Sequence, residues 1–232
     1  MADHERIGTA LSSIDACMLA TRSVIEQLSM VQRGLTTHLL TSGTGHRAVK
    51  ESPIGRIPEE WDTKSLGEIV TLTSGRAKPR EASSLRSPSH SIPIYGGSGI
   101  VGYAGNFLRK GITIVIGRVG GHCGALHFVS EDASWITDSA LFIYENEPEV
   151  DLRYLFYALR KLDFSRLRNA GRQAVISLAM LYPLVVPMPS IGEQREIASM
   201  LCSFESLIEI ENRNHSQLRK MKTELEGDLV RG

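Results

Sequence analysis

The chain has 232 residues, 42% apolar and 22% charged, with 26 basic against 26 acidic side chains. That composition is soluble and globular, with room for one large domain or two small ones, and no apolar run reaches the ~18 residues of a membrane span. Three scattered cysteines (Cys17, Cys123, Cys202) show neither CxxC nor Cys/His spacing and argue against a disulfide framework or a metal site; as MADHERIGTA carries no signal-peptide core, a cytoplasmic location without a membrane partner is expected.

The first predicted element is a helical arm over residues 1–45. Ile7, Leu11, Ile14, Met18, Thr21, Ile25, Leu28, Gln32, Leu35 and Leu39 follow alternating steps of four and three. A sustained 3.5-residue spacing keeps one seam turned toward a partner helix, which is the coiled-coil signal. Ser42-Gly43-Thr44-Gly45 stops the arm. Its heptad positions span about 50 Å at 1.5 Å per residue.

Residues 46–190 read as a globular segment. Residues 47–60 form a polar, Pro-containing connection, Trp61 opens the folded part, and LGEIVTLTSG (66–75) reads as a strand ending in a turn at Gly75. Residues 76–91 are basic, rich in Ser and Pro, and without hydrophobic period, which predicts a long exposed loop. IPIYGGSGIVGYAGNF alternates short apolar runs with glycines and so predicts tight β-turns. Ile112–Ile116 is the most hydrophobic strand, followed by a Gly-rich turn and a second strand, and Trp135–Tyr144 supplies more strand. Leu152, Leu155, Phe156, Leu159 and Leu162 share one face of a helix over about 151–162. Short strands, glycine turns and a helix or two indicate an α+β domain.

A second arm over residues 191–232 repeats the first. Residues 6–42 overlay 196–232 at a constant offset of 190 without a gap, with identities at Ile7/Ile197, Leu11/Leu201, Ser13/Ser203, Gln27/Gln217, Leu28/Leu218, Leu35/Leu225 and Leu39/Leu229. Polar interruptions fall at matched places, Thr21 with Glu211 and Gln32 with Lys222; such residues cost stability but can fix register. His215 reads as a tolerated polar seam position rather than a ligand. With the globular segment as the turn, the arms are expected to lie antiparallel. Candidate interface residues are Leu11, Ile14, Met18, Ile25, Leu28, Leu35, Leu201, Phe204, Ile208, Leu218 and Leu225. The alternative, that each arm is an amphipathic surface helix of one core, sits poorly with the matched, gapless lengths.

The zero net charge hides a separation within the globular segment. Arg76, Lys78, Arg80, Arg86, Arg109, Lys110 and Arg118 face a single acid, Glu81, over that stretch, and five bases between Arg160 and Arg172 face Asp163. Seven acids and no base lie between Glu131 and Asp151. Such a segment can present a positive face to a polyanion, or the charges can be dispersed over a solvated surface.

No catalytic constellation stands out. GRVGGHCG lacks the lysine of a phosphate loop and the GxGxxG spacing, and neighbours such as His122 and Cys123 rarely face each other. Nucleophile elbow, HExxH, a telling carboxylate pair and the Asx-Pro-Pro-aromatic element are all missing. Gly96, Gly97, Gly120 and Gly121 are expected to shape the domain, and Tyr95 and Tyr103 to pack in its core rather than stack on a nucleic acid.

IPEEWDTKSLGEI, IPIYGGSGIVGY, ITIVIGRVGG, WITDSA and VVPMPSIGEQREIASML occur in that order after the arm LSSIDACMLATRSVIEQLSMVQRGLTTHLL. As an ordered set covering nearly the whole chain, they resemble the specificity subunit of type I restriction–modification systems. The resemblance implies a target recognition domain (46–190) that binds double-stranded DNA, flanked by helical spacers (1–45 and 191–232) that hold DNA methyltransferase (modification) subunits, with a restriction subunit as a further candidate partner. Full-length members alternate two recognition domains with two helical regions; one domain between two helices is a half-length, circularly permuted arrangement. The resemblance also implies a non-catalytic chain without cofactor, S-adenosylmethionine, ATP and Mg being held by partner subunits. Arg76, Lys78, Arg80, Arg86, His90, Arg118, Arg168 and Arg172 are the expected phosphate or base contacts. An arm of about 50 Å covers ~14 base pairs at 3.4 Å each and can act as a ruler. Two copies are expected to pair with two-fold symmetry and read an interrupted palindrome. The rival readings are a coiled-coil interaction scaffold that binds no DNA, and a small nucleotide-using enzyme.

Overall fold

In chain order the computed structural model begins with α1 (Ala2–Ser42), β1 (Val49–Ser52), β2 (Gly55–Pro58), β3 (Asp62–Ser65), α2 (Leu66–Ile69) and β4 (Val70–Ser74). It continues with β5 (Ile92–Gly96), β6 (Gly99–Ala104), β7 (Arg109–Lys110), β8 (Thr113–Gly117), a 3-10 turn (Gly120–His122), β9 (Leu126–Val129), β10 (Ala133–Ile136) and β11 (Ala140–Asn146). The last elements are α3 (Leu152–Lys161), α4 (Leu178–Leu181), β12 (Val185–Met188) and α5 (Ile191–Arg231). The structure describes residues 2–162, 164 and 174–231, with side chains from residue 7 to 227 within those ranges. The chain divides into a helical unit, Met1–Leu39 with Ser199–Gly232, and a sheet unit, Leu40–Ala198.

In the helical unit the two long helices run antiparallel. Asp15, early in α1, accepts from Lys222 Nζ, late in α5, at 2.6 Å. Every predicted seam position from Ile7 to Leu35 and from Leu201 to Leu225 is shielded to some degree. Ile14 is 9% exposed and Leu201 fully buried, whereas Leu11, Met18, Ile25, Leu28, Leu35, Phe204, Ile208, Leu218 and Leu225 are only half-buried. The polar seam residue Lys222 has a partner, and its hydrogen bond to Asp15 raises its pKa above the ordinary lysine value.

The sheet unit is built on two four-stranded sheets, ordered β6-β5-β10-β7 and β4-β11-β8-β9, with two-stranded pairs β1-β2 and β12-β3. All pairings are antiparallel except β10 with β5. Every residue of β8, TIVIG, is buried. That continuous apolar run suits an interior strand covered on both faces: α3 packs against β8 and β9, with the Phe128 and Phe156 rings 5.6 Å apart, and a cluster of Tyr95, Val115, Val129, Ile136, Ala140 and Phe142 spans the two larger sheets. The Asp151 carboxylate caps α3 by accepting from the backbone N–H groups of Arg153 (2.9 Å) and Tyr154 (3.0 Å), a contact worth about 1 kcal/mol.

Four local expectations change. The connection 47–60 contains the β1–β2 hairpin, turned at Gly55 (φ 97°). The strand expected over 66–75 begins one helical turn late, because the Glu68 carboxylate accepts from the N–H and hydroxyl of Ser65, both at 2.6 Å, and closes α2 first. Trp135–Tyr144 is two strands in different sheets, separated by a turn in which the Ala140 N–H donates to Thr137 O at 3.1 Å. Finally, α3 is buried almost all round, from Tyr154 through Leu159, rather than along one stripe.

Candidate nucleic-acid interface

Four segments meet at one end of β8 and β11: Ser74–Arg76, Gly96–Gly99, Gly117–His122 and Thr137–Ser139. Their approach requires glycine at two points. A Cβ on Gly75 would overlap the carbonyl oxygens of Thr137 and Ile136, and one on Gly117 would overlap that of His122. Backbone bonds lock the assembly: Arg76 N–H to Ile136 O (3.0 Å), Asp138 N–H to Arg76 O (3.1 Å), Arg118 N–H to Ser139 O (2.9 Å) and Gly124 N–H to Gly117 O (2.8 Å). The Thr137 and Ser139 hydroxyls bond each other at 2.7 Å.

The predicted DNA contacts distribute unevenly over this frame. Arg76 leaves the sheet end directly and is exposed. Arg80 and Arg86, also exposed, ride the loop that follows. That loop lacks a strand but is pinned, Ser83 exchanging backbone hydrogen bonds with Tyr103 at 2.8 and 2.9 Å. Lys78 belongs to the pinning: its Nζ donates to Val101 O at 2.9 Å. His90 is half-buried, with Nδ1 3.0 Å from the Ser89 hydroxyl, and shapes the same loop. Arg118 is half-buried; its Nη1 donates to Ser74 Oγ at 3.2 Å, while its buried Nε has no partner among the described residues. Arg168 and Arg172 lie outside the described residues.

Other residues singled out by sequence take structural places. Tyr95 is buried, and its hydroxyl donates to Glu131 at 2.9 Å; burial first, then that carboxylate, pushes its pKa well above the usual tyrosine range. Gly96 and Gly97 are buried, whereas Gly121 faces open space. Cys123 turns inward, its thiol donating to Arg118 O at 3.3 Å, while His122 is exposed. Sequence reasoning missed Asp138 and Ser98, both exposed on the converging segments. Asp138 sits within Trp135–Tyr144, a segment whose composition supplies strand; its Thr-Asp-Ser context, a turn-forming triplet, is the available signal.

A second polar centre lies where the sheet unit begins and ends. The Glu193 carboxylate accepts from Thr44 N–H (3.1 Å), Trp61 Nε1 (2.9 Å) and His46 Nε2 (2.9 Å). Next to it, Gln194 is 1% exposed and fully satisfied, donating to Glu149 O and Pro189 O and accepting from Asp151 N–H. Among the described residues no group of three or more His, Cys, Asp or Glu could hold a metal ion, and no helix is long and apolar enough to cross a membrane.

A family model described as type I restriction modification DNA specificity domain matches residues 58–220. The type I restriction enzyme MjaVIII specificity subunit of Methanocaldococcus jannaschii is 27% identical over 256 residues, covering 100% of this chain and 60% of that protein. The type I restriction enzyme EcoprrI specificity subunit of Escherichia coli is 26% identical over 149 residues, 64% of this chain and 37% of that protein. Among solved structures, the S subunit of a type I restriction–modification system from M. genitalium superposes with a TM-score of 0.72 at 17% identity, covering 97% of this chain and 59% of that one. The HsdS subunit from Thermoanaerobacter tengcongensis gives 0.63 at 14% identity, over 98% of this chain and 57% of that one. These two share the fold. The chain thus spans 60% or less of the length of each of these relatives.

Proposed function

Since the chain belongs to the type I restriction modification DNA specificity family, we propose that its sheet unit reads a short DNA sequence on behalf of a partner that methylates adenine. The observation that carries this reading is the set Arg76, Arg80 and Arg86: three exposed guanidiniums without a side-chain partner among the described residues, on a loop held by backbone hydrogen bonds. Arginine donors on an ordered frame suit phosphates, which fix position, and guanine edges, which fix sequence. Arg118 joins them from the glycine turn. Lys78 and His90 hold the loop rather than the DNA.

Two copies pair through the long helices. Support comes from seam residues left half-buried by the pairing within one chain, together with exposed Leu19 (70%), Met30 (58%), Val31 (54%) and Leu207 (48%) on the same helices. A second helix pair laid against them would shield apolar surface that one chain leaves wet. Two-fold pairing makes the target an inverted, interrupted repeat. Methyl transfer, its S-adenosylmethionine, and any restriction activity with its ATP and Mg belong to the modification and restriction partners.

The test is co-purification with the modification subunit and mapping of methylated adenines. A defined bipartite motif is expected. Binding should fall with salt at a log–log slope of about −0.9 per phosphate neutralised. Reversing the charge of Arg76, Arg80 and Arg86 together should abolish binding; an unchanged nucleic-acid affinity would favour a scaffold that binds only protein.

A further inference from the structure

Arg76 and Asp138 stand on adjoining backbone at the sheet end. Residue 76 is bracketed by hydrogen bonds from its N–H to Ile136 O (3.0 Å) and from the Asp138 N–H to its carbonyl (3.1 Å). Asp138 projects from the Thr137–Ala140 turn, whose hydroxyls bond each other. Both side chains are exposed, and among the described residues neither makes an ion pair or side-chain hydrogen bond. A donor fork and a carboxylate are thus both left free on neighbouring backbone.

A carboxylate on a surface that meets DNA is repelled by phosphates unless a base supplies it with a proton donor. In the major groove those donors are the amino groups of cytosine N4 and adenine N6. Arginine makes its best bidentate contact with guanine O6 and N7. One base pair offers both partners side by side: guanine for the fork, cytosine for the carboxylate. Arg118, whose N–H bonds Ser139 O at 2.9 Å, adds the positive charge that offsets the repulsion of Asp138 by the backbone.

We infer that Arg76 and Asp138 read a single G·C pair of the target, Arg76 taking the guanine edge and Asp138 the cytosine amino group. This rests on the DNA-reading role proposed above.

The test uses the full chain co-expressed with its modification subunit, with genome-wide mapping of methylated adenines for wild type, Arg76→Ala, Asp138→Ala and the near-isosteric Asp138→Asn. The wild-type motif should contain a fixed G·C pair. Each alanine variant should relax that position alone, preference falling about 5- to 150-fold, the discrimination one such contact provides. Asp138→Asn keeps an acceptor for the cytosine amino group and adds a donor for adenine N7, so it should tolerate adenine beside cytosine. A motif without a fixed G·C pair overturns the assignment. So does an unaltered motif in Asp138→Ala when its melting and assembly match wild type, or a loss of methylation uniform over all sequences. If the wild-type assembly methylates with no motif at all, the DNA-reading function falls, and the assignment with it.

Discussion

Glu193 shows how much one side chain can hold. Its carboxylate accepts three hydrogen bonds from groups on either side of the 47–60 connection. Trp61 is fully buried, so deleting the acceptor leaves an indole N–H without water or partner. Glu193→Ala should cost about 3 kcal/mol in urea unfolding, the desolvation penalty of the orphaned donors, while Glu193→Gln keeps an acceptor oxygen and should cost less. Gly75→Ala should also destabilise, by about 2 kcal/mol, since its methyl has to displace backbone carbonyls. The exposed arginines should behave oppositely. Arg80→Ala and Arg86→Ala should leave the unfolding midpoint within about 0.5 kcal/mol of wild type yet weaken DNA binding. Among the predicted contacts within the described residues, only those two and Arg76 are free in this way; Lys78, equal to them in charge, and His90 are spent on the loop.

At the level of elements, the helix pair and α3 draw on different sources of stability. Lys222 and Asp15 form a half-exposed ion pair still reached by solvent, so Lys222→Ala should shift the melting temperature little. Because the folded-state lysine pKa is raised, the pair's contribution is complete below the ordinary lysine value and is lost as pH climbs through the raised one. Neutral-to-mildly-alkaline melting curves should therefore coincide. Leu201→Ala should cost about 2–5 kcal/mol, as that position is fully buried. The same change at fully buried Leu155 in α3 should cost as much, because α3 is enclosed between strands and neighbouring chain. The seam of the arms was legible because heptad spacing is a property of consecutive residues. The enclosure of α3 was not: its sequence shows the apolar face, and Tyr154, Tyr157 and Ala158 are buried by what packs on the other sides.

For the whole molecule, the chain carries one sheet unit and two helices of 41 residues, about 60 Å long at 1.5 Å per residue. Sedimentation of the purified chain should give a dimer, and Leu28→Asp with Phe204→Asp should leave a monomer that still binds one half-site weakly. Removing Arg80 and Arg86, the free arginines not assigned to a base edge, should reduce the magnitude of the salt slope by about 2 per copy. The amino-acid order by itself determined the helix–domain–helix plan, the seam positions, the exposed basic loop and the α+β class, because each follows from local spacing and composition. Tertiary structure decided the rest: that Arg76 adjoins Asp138 in a separate strand turn, that Glu193 meets Trp61 across 132 residues, that Lys222 finds Asp15, and that one apolar run is divided between two sheets. Those are encounters between residues far apart along the chain, fixed by packing and hydrogen-bond satisfaction, which no periodicity within the chain encodes.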